Sequence, residues 1–323
     1  MISIIVIGKN EGWRLTKCLE SIYNIINSSQ IEFEVIYVDS NSSDDSIERA
    51  LVYEKVKVFK VTGLCNAAVA RNVGANESTG DILFFVDGDM EIQLDFLNYI
   101  FNEKNQLVSE YVTGHLDDYF YDDKGIFITK SPRTYTNVLP KDAQVLSENG
   151  GIFIITRDKW IEVGGMNSKF KVNEDLDLAI RLRKKKVKIV RIPHLICLHH
   201  TIDYRNEKRM WNMLLSGYTL YPGIILREHL FDVYVLKRFI RSNYTAIFLL
   251  LAIIFYNSWA VLSVCIGVLA ARSILHTLAM KSKANKIKYF FERLIYQFLS
   301  DISIWMAFLF FFPKKITPQY KRI

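Results

Sequence analysis

The chain has 323 residues, 50% of them hydrophobic and 23% charged, and its formal net charge is +7 at pH 7. This length accommodates one large domain or a domain with an appended region. The positive charge would suit nucleic acid, but no zinc-finger, RNP-like or recognition-helix signature accompanies it, so we expect no nucleic-acid partner.

The cysteines and the first residues indicate the compartment. Cys18, Cys65, Cys197 and Cys265 are scattered, without a CxxC pair or metal-ligand spacing, which is typical of buried thiols in a reducing compartment. The segment MISIIVIGKNEG (1–12) is apolar, but it is short and has no basic n-region. We therefore expect it to form a first strand and not a signal peptide.

The first hundred residues alternate between strand-like and helix-like segments. Apolar runs predict strands, and the segments between them have helical periodicity. The predicted strands are ISIIVIG (2–8), FEVIYVD (33–39), VKVFKV (56–61) and DILFFVD (81–87). Such alternation predicts an α/β fold with a mostly parallel sheet and flanking helices, in which ligands bind at the carboxyl ends of the strands.

Acidic residues end two of these strands. Asp39 ends the second, and Asp87 and Asp89 end the fourth with Gly88 between them. Two carboxylates held close together repel each other unless a proton or a cation compensates them, and Mg²⁺ and Mn²⁺ accept such oxygen ligands. Gly88 would let the backbone turn sharply and a ligand approach. The alternative is an ordinary Asp-Gly turn with solvated acids.

The segments that follow are less regular. We expect β-hairpins or loops in residues 105–145, and then a short strand and a helix between two Gly-Gly turns in residues 149–170. NEDLDLAIRLRKKK (173–186) predicts a helix with Asn173 as N-cap and acids in its first turn. VKIVRI (187–192) and LICLHH (195–200) predict two further strands.

Glu174 and Asp175 start the predicted helix. Asp175 shares a helical stripe with Leu178, Ala179 and Leu182, so it is expected to point inward while Glu174 is rotated away. An inward carboxylate at a helix start is either a charge partner of the helix N-terminus or a general base.

Six sequence blocks, taken in order, resemble the large family-2 glycosyltransferases with the GT-A fold. They are IGKNEG, VDSNSSDDS, ARNVGANESTGDILFFVDGD, GGIFIITRDKWIEVGGMN, NEDLDLAIRL and LHH. Each block is weakly specific, whereas the ordered set, over roughly residues 1–220, is strongly so. The resemblance implies an inverting, Mn²⁺- or Mg²⁺-dependent transfer from a nucleotide-sugar, most often a UDP-sugar, in cell-surface polysaccharide synthesis.

The same resemblance implies how the donor is held. Asp39 would bind the base and Asp87 the ribose side of the nucleotide, with Asn10 and Glu11 as further nucleotide-binding residues. Asp89, with Asp87 beside it, would hold the metal ion that bridges the diphosphate.

The resemblance also implies the catalytic residues. Asp175, the second acid of the pair with Glu174, would take the proton from the acceptor hydroxyl. Arg71 would stabilise a phosphate or fix Asp87 by a bidentate contact, the alternative being a surface helix arginine. His199 or His200 would complete the metal shell or contact the diphosphate, and strand alternation lets only one of them face the site. The alternative is a structural histidine.

The acceptor is expected near Gly150, Gly151, Arg209 and Trp211. The Gly-Gly pair, after Asn149, would let backbone approach the sugar or the acceptor, and Asp117 or Asp118 would touch the donor sugar. RNEKRMWN (205–212) is similar to the acceptor motif of processive members but lacks its Q-x-x-R-W spacing. The departure favours a single addition over polymerisation.

The last part of the chain is apolar. Residues 244–271 contain no charge, and residues 294–312 are interrupted only by Asp301; about 20 apolar residues span a bilayer core. We therefore predict a catalytic domain in residues 1–230 and a membrane-associated helical region in residues 231–323. Flanking basic residues favour attachment to the cell membrane with the catalytic domain facing the cytoplasm.

Two membrane topologies are open. If residues 244–271 and 294–312 each span, the basic loop 272–293 lies outside, against the positive-inside tendency. If the chain instead forms a hairpin that turns at Asn257 and Ser258, each arm is short compared with the thickness of a bilayer core. The hairpin is slightly favoured, because flanking side chains can snorkel. A lipid-linked acceptor would explain the anchor, and assembly with partner proteins is the alternative.

Two other functions compete with sugar transfer. A nucleotidyltransferase also uses a parallel sheet and acids on divalent ions, but it usually carries a glycine-rich, lysine-containing loop after the first strand, and IGKNEG is not one. A non-catalytic nucleotide-sugar-binding membrane scaffold is disfavoured by the joint presence of Asp39, Asp87, Asp89 and Asp175. The sequence leaves the sugar, the acceptor and the oligomeric state open, a homo-oligomer included.

Overall fold

The protein divides into two compact units in a computed structural model. The first comprises Met1–Asp203 and Lys315–Ile323, and the second comprises Tyr204–Lys314. The structure describes residues 1–103, 106–122, 124–132, 139–148, 150–202, 207–279 and 285–323, the side chains of residues 207 and 208 excepted. The predicted catalytic-domain boundary at residue 230 stays a prediction, because compactness alone does not assign a function.

The first unit begins with the alternation that the sequence predicts. Its elements up to residue 100 are β1 (Ile2–Gly8), α1 (Trp13–Ser28), β2 (Phe33–Asp39), α2 (Ser46–Leu51), β3 (Val56–Val61), α3 (Ala67–Glu77), β4 (Ile82–Asp87), β5 (Met90–Ile92) and α4 (Leu97–Ile100). The four predicted strands all form, within one residue of their predicted bounds. Every residue of β1 is buried, as expected of a central strand that is covered on both faces.

The rest of the first unit is less regular. Its elements are β6 (Tyr111–Tyr121), β7 (Phe127–Pro132), β8 (Gln144–Leu146), β9 (Phe153–Thr156), α5 (Arg157–Glu162), α6 (Glu174–Lys184), β10 (Ile189–Ile202) and β11 (Tyr320–Arg322). The two strands predicted over residues 187–200 form the single strand β10, and its pairing with β6 is irregular between Arg191 and Cys197. Pro193 lies in that interval and has no N–H to donate, which accounts for the interruption.

Within the described residues the strands form one sheet, in the order β11-β3-β2-β1-β4-β9-β6-β10-β5, with β7 beside β6 and β8 beside β10. β1 is parallel to β2 and β4, β2 to β3, and β6 to β10. β9 is antiparallel to both β4 and β6, so β6 runs in the direction of β4. β1, β2, β4 and β6 therefore end at one edge of the sheet, which we call the carboxyl edge.

Apolar layers cover both faces of the sheet. On one face Leu15 of α1 packs in a cluster with Phe84, and on the other Val73 of α3 and Leu178 of α6 pack in a cluster with Phe85. Each such side chain contributes about 1.5–3 kcal/mol when it is fully buried. The two layers hold the starts of α1, α3 and α6 against the carboxyl edge.

The close approach of α3 to β1 depends on Gly74. A Cβ at this position would lie 2.2 Å from Cγ2 of Ile5, closer than real Cβ contacts allow. Arg71 lies one turn earlier on the same helix, so this contact also brings Arg71 close to the sheet.

The second unit is helical in its described residues. Its helices are α7 (Glu207–Leu215), α8 (Tyr221–Glu228), α9 (Val233–Ser242), α10 (Tyr244–Ile254), α11 (Trp259–Leu278) and α12 (Lys286–Phe310). The apolar stretch 244–271 is therefore not one helix. It breaks between Ile254 and Trp259, where the Ser258 side chain accepts a hydrogen bond from the N–H of Val261 and so caps α11.

The helices of this unit differ in length and share polar contacts. α11 and α12 are long and apolar enough to cross a membrane, judged by length and composition, whereas α10 has only 11 residues.

Asp301 of α12 is buried and accepts a hydrogen bond from Gln297 (2.9 Å). Gln297 and Arg272 both donate to Oγ1 of Thr245, at 3.2 and 3.0 Å. The acid that interrupts the last apolar stretch is therefore enclosed by the helices.

Glu34 joins the amino-terminal ends of the central strands. Its carboxylate accepts hydrogen bonds from Oγ of Ser3 (2.6 Å), from Nζ of Lys57 (2.8 Å) and from the backbone N–H groups of Thr79 and Gly80. Burial raises the pKa of Glu34, but the hydrogen bonds from Lys57, Ser3 and Thr79 outweigh it and lower the pKa to about 2.

We expect Glu34→Gln to lower the free energy of unfolding at pH 7 by about 1–2 kcal/mol, because it removes charge-assisted hydrogen bonds. The ordinary pKa of the carboxyl is 4.5, so its stabilising effect is fully present above that pH and is lost as the pH falls toward 2. Urea unfolding over this pH range measures the difference between variant and wild type. The exposed Glu32→Gln is the control, and a difference that does not shrink in acid would contradict the assignment.

Candidate functional site

A cleft of about 450 Å³ opens at the carboxyl edge of the first unit. The ends of β1 and β4 and the starts of α3 and α6 supply most of its walls. It is lined by Ile7, Gly8, Lys9, Glu11, Ser40, Cys65, Asn66, Ala67, Arg71, Asp87, Asp89, Gly151, Glu174 and Asp175. Asp89 and Asp175, which are distant in sequence, therefore share one cavity.

Arg71 joins two walls of the cleft. Its side chain is only 4% exposed, so the surface-arginine alternative is wrong. Nη2 lies 2.6 Å from Oδ1 of Asp87 and Nη1 lies 3.4 Å from Oε1 of Glu174. The expected bidentate contact with Asp87 is also wrong, because each of two carboxylates receives one nitrogen of the guanidinium. A buried guanidinium requires such compensation, and here it fixes the end of β4 relative to the start of α6.

Gly151 closes the contact around Asp87. A Cβ at residue 151 would lie 2.1 Å from Oδ2 of Asp87, and the carbonyl of Gly151 lies 3.5 Å from Nη2 of Arg71. At Gly150, by contrast, a Cβ would meet nothing within 4 Å. The Gly-Gly pair thus serves in part to let the backbone pack against a carboxylate.

Both acids at the start of α6 face the cleft. The expectation that Glu174 is rotated away is wrong, since Glu174 and Asp175 both line the cleft and Glu174 reaches Arg71. The acid that points into the interior is Asp177, which is 1% exposed and lies 2.7 Å from Nη2 of Arg181. The helical stripe of apolar residues located the buried face of α6, but the first turn lies at the carboxyl edge, where the Arg71 charge attracts Glu174.

The environment at the start of α6 raises the pKa of both acids. Burial raises the pKa of Glu174 to about 7, against the lowering effect of Arg71. Burial also raises the pKa of Asp175, whose Oδ1 accepts a hydrogen bond from the N–H of Leu176 (2.7 Å). Asn173 precedes the helix as predicted, but its φ of 66° is left-handed and its side chain makes no capping hydrogen bond. The expectation of a side-chain cap is wrong.

Asp89 and His199 lie together at another corner of the site. Nε2 of His199 lies 3.2 Å from Oδ2 of Asp89, and Nδ1 lies 2.6 Å from Oδ1 of Asp118. Asp118, expected at the donor sugar, thus orients the His199 ring. Arg14 is near, with Nη1 3.8 Å from Oδ2 of Asp89. The chain turns at Gly88 and Asp89 as predicted, without a positive φ at Gly88. A Cβ at residue 88 would crowd Cγ of Glu11 at 3.1 Å.

His200 points away from Asp89. Its Nε2 lies 2.8 Å from Oε2 of Glu91 and its Nδ1 lies 2.9 Å from the hydroxyl of Tyr121. The backbone N–H of His200 donates to the carbonyl of Asp89 (2.8 Å). Of the two histidines, His199 therefore faces the carboxylate, and both ring nitrogens of His200 are engaged elsewhere.

The groups around Asp89 fit a divalent cation. Oδ1 of Asp89 is buried without a hydrogen-bond partner among the described residues, and a carboxylate behind a histidine is the arrangement that supports metal-bound imidazoles. Within the part of the chain that the structure describes, no three His, Cys, Asp or Glu side chains cluster closely enough to hold a metal alone. A cation here would complete its shell with water or phosphate oxygens.

The loops after β1 and β2 are joined to each other. Asp39 is fully buried; its Oδ1 accepts from the N–H of Ser42 (2.8 Å) and its Oδ2 from the hydroxyl of Tyr37 (3.2 Å). Asn10, with a left-handed φ of 57°, accepts a hydrogen bond from the N–H of Ser43 (2.8 Å). Neither Asp39 nor Asn10 is among the residues that line the cleft. Their nucleotide-binding roles stay predictions.

Glu11 does line the cleft. Its Oε2 lies 2.7 Å from Nη2 of Arg14. Burial raises the pKa of Glu11 to about 7, the charge of Asp89 raises it as well, and Arg14 opposes both effects. Carboxylates are therefore concentrated on this side of the cleft.

Residues 3–164, half of the chain, match the family described as Glycosyl transferase family 2. The chain belongs to that family. Residues 142–206 also match the family described as the N-terminal domain of galactosyltransferase. The fold class is confirmed: a mixed α/β sheet of the GT-A type, followed by apolar helices at the C-terminal side.

Relatives of this family-2 member carry related names. An uncharacterized glycosyltransferase of Haemophilus influenzae is 28% identical over 197 residues, which are 56% of this chain and 62% of that protein. A probable N-acetylgalactosaminyltransferase 7 of Caenorhabditis elegans is 30% identical over 107 residues, which are 30% of this chain and 17% of that protein. The chain spans less than two thirds of the length of either protein.

One solved structure resembles the chain as well. A crystal structure of GalNAc-T7 with UDP, GalNAc and Mn²⁺ has a TM-score of 0.49 at 16% identity and covers 64% of this chain and 44% of that chain. The chain thus spans less than half of the length of that structure.

Two contacts at the site of this family-2 member escaped prediction from the sequence. Asn66 caps α3 by accepting from the N–H of Val69 (2.9 Å) and donates to the carbonyls of Ser168 (2.8 Å) and Phe170 (3.1 Å). An asparagine directly before a predicted helix was the available signal for the cap. The second contact is made by Arg14, which forms ion pairs with Glu11 and Asp89. Nothing in the sequence indicates it.

The predicted acceptor residues belong to different units. Gly150 and Gly151 lie in the first unit, whereas Arg209 and Trp211 lie on α7 of the second. The ring of Trp211 packs edge-on against Tyr296, with centroids 6.4 Å apart. Asn149 and Arg205 lie outside the described residues. All of the acceptor assignments stay predictions.

We expect Gly151→Ala to lower the free energy of unfolding by about 1–3 kcal/mol, the usual effect of forcing extra volume into a packed site. The added Cβ would push Asp87 away from Arg71. Gly150→Ala is the matched control, since the space around residue 150 is open, and it should change stability by less than about 0.5 kcal/mol. Chemical denaturation of the three proteins measures both effects, and equal stabilities for the two variants would contradict the placement of Gly151.

Proposed function

We propose that this family-2 member transfers a sugar from a nucleotide-diphospho-sugar, most simply a UDP-sugar, to a hydroxyl group with inversion at the anomeric carbon. One observation carries the proposal: Asp87, Asp89, Glu174 and Asp175 line a single cleft. Acids at the end of β4 suit a cation-bound diphosphate, and acids at the start of α6 suit proton removal from an acceptor.

Asp175 is the proposed general base. The acceptor oxygen forms a bond to the anomeric carbon while the bond from that carbon to the diphosphate oxygen breaks. The hydroxyl proton passes to the carboxylate of Asp175, and the nucleoside diphosphate leaves with the electron pair of the broken bond. Burial raises the pKa of Asp175, which makes its ionised form a stronger proton acceptor.

Glu174 and Arg71 are proposed to position the reacting groups. Arg71 contacts Asp87 on one wall and Glu174 on the other. It therefore keeps Asp87, the proposed ribose-binding residue, at a fixed separation from α6, which carries the proposed general base. Glu174 is next to Asp175 and gains a fixed orientation from the same contact. Correct placement of two reactants supplies much of the rate enhancement of transfer enzymes.

Asp89 and His199 are the proposed ligands of Mn²⁺ or Mg²⁺. Asp118 holds the His199 ring from behind, at 2.6 Å. A divalent ion bound there supplies Lewis-acid stabilisation of the charge on the leaving diphosphate. Asp87 is a weaker candidate for this shell because Arg71 engages one of its oxygens, and His200 is not proposed because Glu91 and Tyr121 engage its ring.

The nucleoside is proposed to bind beside the loops after β1 and β2. Glu11 lines the cleft there, Asn10 joins the two loops through Ser42 and Ser43, and Asp39 fixes its own loop through Ser42. Asp39 would then shape the base pocket by fixing its loop, in addition to the predicted contact with the base.

Attachment to the cytoplasmic face of the cell membrane is proposed for the second unit. α11 and α12 have the length and composition of spanning helices, and basic residues flank the apolar stretches. A lipid-linked or saccharide acceptor in cell-surface polysaccharide synthesis would suit an anchored enzyme. The missing Q-x-x-R-W spacing supports a single addition.

The C-terminal strand restricts how the second unit can meet a membrane. β11 pairs with β3 in the sheet of the first unit, and Oγ of Ser168 donates to the carbonyl of Ile316 (3.0 Å). The chain therefore leaves and re-enters one compact unit, so the number of crossings between them is even. α10 is about 16 Å long at 1.5 Å per residue and is too short to cross. We therefore propose either a pair of crossings by α11 and α12, which would place the basic residues between them outside against the positive-inside tendency, or no crossing.

The transfer itself is tested by UDP release from UDP-sugars in the presence and absence of Mn²⁺. We expect Asp175→Asn to slow transfer by about a thousandfold, the contribution of a general base, while UDP still binds. Asp89→Ala should instead abolish the dependence of UDP binding on Mn²⁺. The exposed Asp158→Asn is the control.

Three outcomes decide among the functions. Near-normal transfer by Asp175→Asn would contradict the proposed base. A wild type that binds UDP-sugar but neither transfers nor hydrolyses it would indicate a non-catalytic scaffold. Formation of sugar 1-phosphate from the UDP-sugar, measured in the same assay, would indicate nucleotidyl transfer.

Membrane topology is tested with reporters fused to either end of the full chain. Even crossing predicts that fusions at Met1 and at Ile323 report the same side, which we expect to be the cytoplasm. Retention on membranes after an alkaline carbonate wash would indicate the pair of crossings by α11 and α12, and release would indicate none. Reporters on opposite sides would refute the even number of crossings.

A further inference from the structure

Two basic side chains beside the site have unmet hydrogen-bonding capacity. His115 of β6 is 3% exposed, and neither of its ring nitrogens has a hydrogen-bond partner among the described residues. On β10, Nε of Arg191 is likewise buried without a partner in the described chain. Leaving a buried donor or acceptor unsatisfied costs about 1–3 kcal/mol, so two such groups in one place indicate a missing partner.

The electrostatics identify the sign of that partner. Burial lowers the pKa of His115, and the neighbouring Arg191 and His194 lower it further. Burial also lowers the pKa of Arg191, with no opposing influence from a carboxylate. No carboxylate is among the groups that shift either pKa, and an anion would compensate the positive charge of Arg191.

Neither residue is among those that line the cleft, but strand geometry connects them to its wall at Gly151. Thr113 and Arg191 are partners in the parallel pairing of β6 with β10. Oγ1 of Thr113 donates to the carbonyl of Ile152 (2.8 Å), the residue after Gly151. His115 lies two residues beyond Thr113 on the same face and about 7 Å nearer to the carboxyl edge.

The same face of the sheet is covered by α6, the helix that carries the proposed general base Asp175. Tyr111 and Ile189, which precede Thr113 and Arg191 by two residues each, pack in the apolar layer that contains Leu178 of α6. Side chains two residues apart in a strand share a face, so His115 and Arg191 lie on the face that α6 covers. In the sheet order, β6 and β10 lie beyond β9, on the side away from the β1 and β2 loops.

We propose that His115 and Arg191 form an anion-binding subsite on the acceptor side of the cleft, where they bind a phosphate or carboxylate group of the acceptor. This proposal rests on the proposed transferase function, because it takes Asp175 as the residue that meets the acceptor hydroxyl. The anion would accept hydrogen bonds from the imidazole N–H and from the guanidinium. A diphosphate-linked lipid and an acidic glycan both present this chemistry.

The test uses the full chain in detergent, saturated with UDP and Mg²⁺ so that the donor position is filled. Inorganic phosphate or glucuronate is then added, and binding is followed through the ¹⁵N shifts of the histidine rings, with His115→Phe identifying the His115 signal. We expect at least one probe to shift that signal. Tighter binding of phosphate would point to a phosphate-bearing acceptor, and tighter binding of glucuronate to an acidic glycan.

Variants distinguish a specific binding site from a general attraction of the anion to positive charge. Arg191→Gln should weaken binding of the probe by about tenfold or more, as expected for loss of a charged hydrogen-bond partner, and Arg191→Lys should weaken it less. Lys188→Gln, which removes the same charge from an exposed position on the same chain segment, should bind as wild type does. Equal weakening by Lys188→Gln and Arg191→Gln would overturn the subsite.

The remaining outcomes are also decisive. A wild-type His115 signal that neither probe shifts overturns the subsite, and this reading holds even if the His115 or Arg191 variants fail to fold. The proposed transferase function fails separately, if the wild type does not bind UDP in the first step.

Discussion

The buried guanidinium of Arg71 is the interaction on which the site depends. A charge removed from water costs several kcal/mol unless opposite charges surround it, and breaking such a pair typically costs about 3–5 kcal/mol. Asp87 and Glu174 provide the compensation from two different elements, the end of β4 and the start of α6. The electrostatic requirement of one arginine therefore sets the width of the cleft, and the bare backbone of Gly151 is needed for the contact to close.

The direction of the strands arranges the other functional groups around this contact. β4 and β6 are parallel although β9 separates them, so Asp87, Asp89 and His115 all lie toward the same edge of the sheet. Acids predominate on the side of β1 and β4, where burial and mutual repulsion raise the pKa of Glu11 to about 7. On β6 and β10, His115 and Nε of Arg191 have no hydrogen-bond partner among the described residues, although Asp118 of β6 pairs with His199 of β10. The difference between the two sides suits the proposed cation-bound donor on one and the proposed anionic acceptor on the other.

Much of the architecture was predictable because it depends on local patterns. β1 to β4 follow from apolar runs with the period and length of buried strands, and Asp39, Asp87 and Asp89 lie at strand ends whatever the packing. The predictions failed where a residue responds to a distant one. Glu174 faces the cleft because Arg71 of α3 is there, and Asp118 turns to His199 because β6 and β10 are neighbours. In the same way, the break between α10 and α11 was only one of two alternatives, since an uncharged stretch carries no signal that decides between one helix and two.

The sequence by itself determined the family, the alternation of elements and the set of acids that could meet at one edge, since these properties are encoded in short-range periodicity and in ordered motifs. Only the tertiary structure decided which histidine of the pair faces Asp89, that Arg71 is shared between two carboxylates, and that β11 returns to the sheet. The physical reason is that orientation, burial and compensation of charge are set by side chains that come together from remote segments. A strand or helix pattern records which face is apolar, but not which polar group will lie across from it.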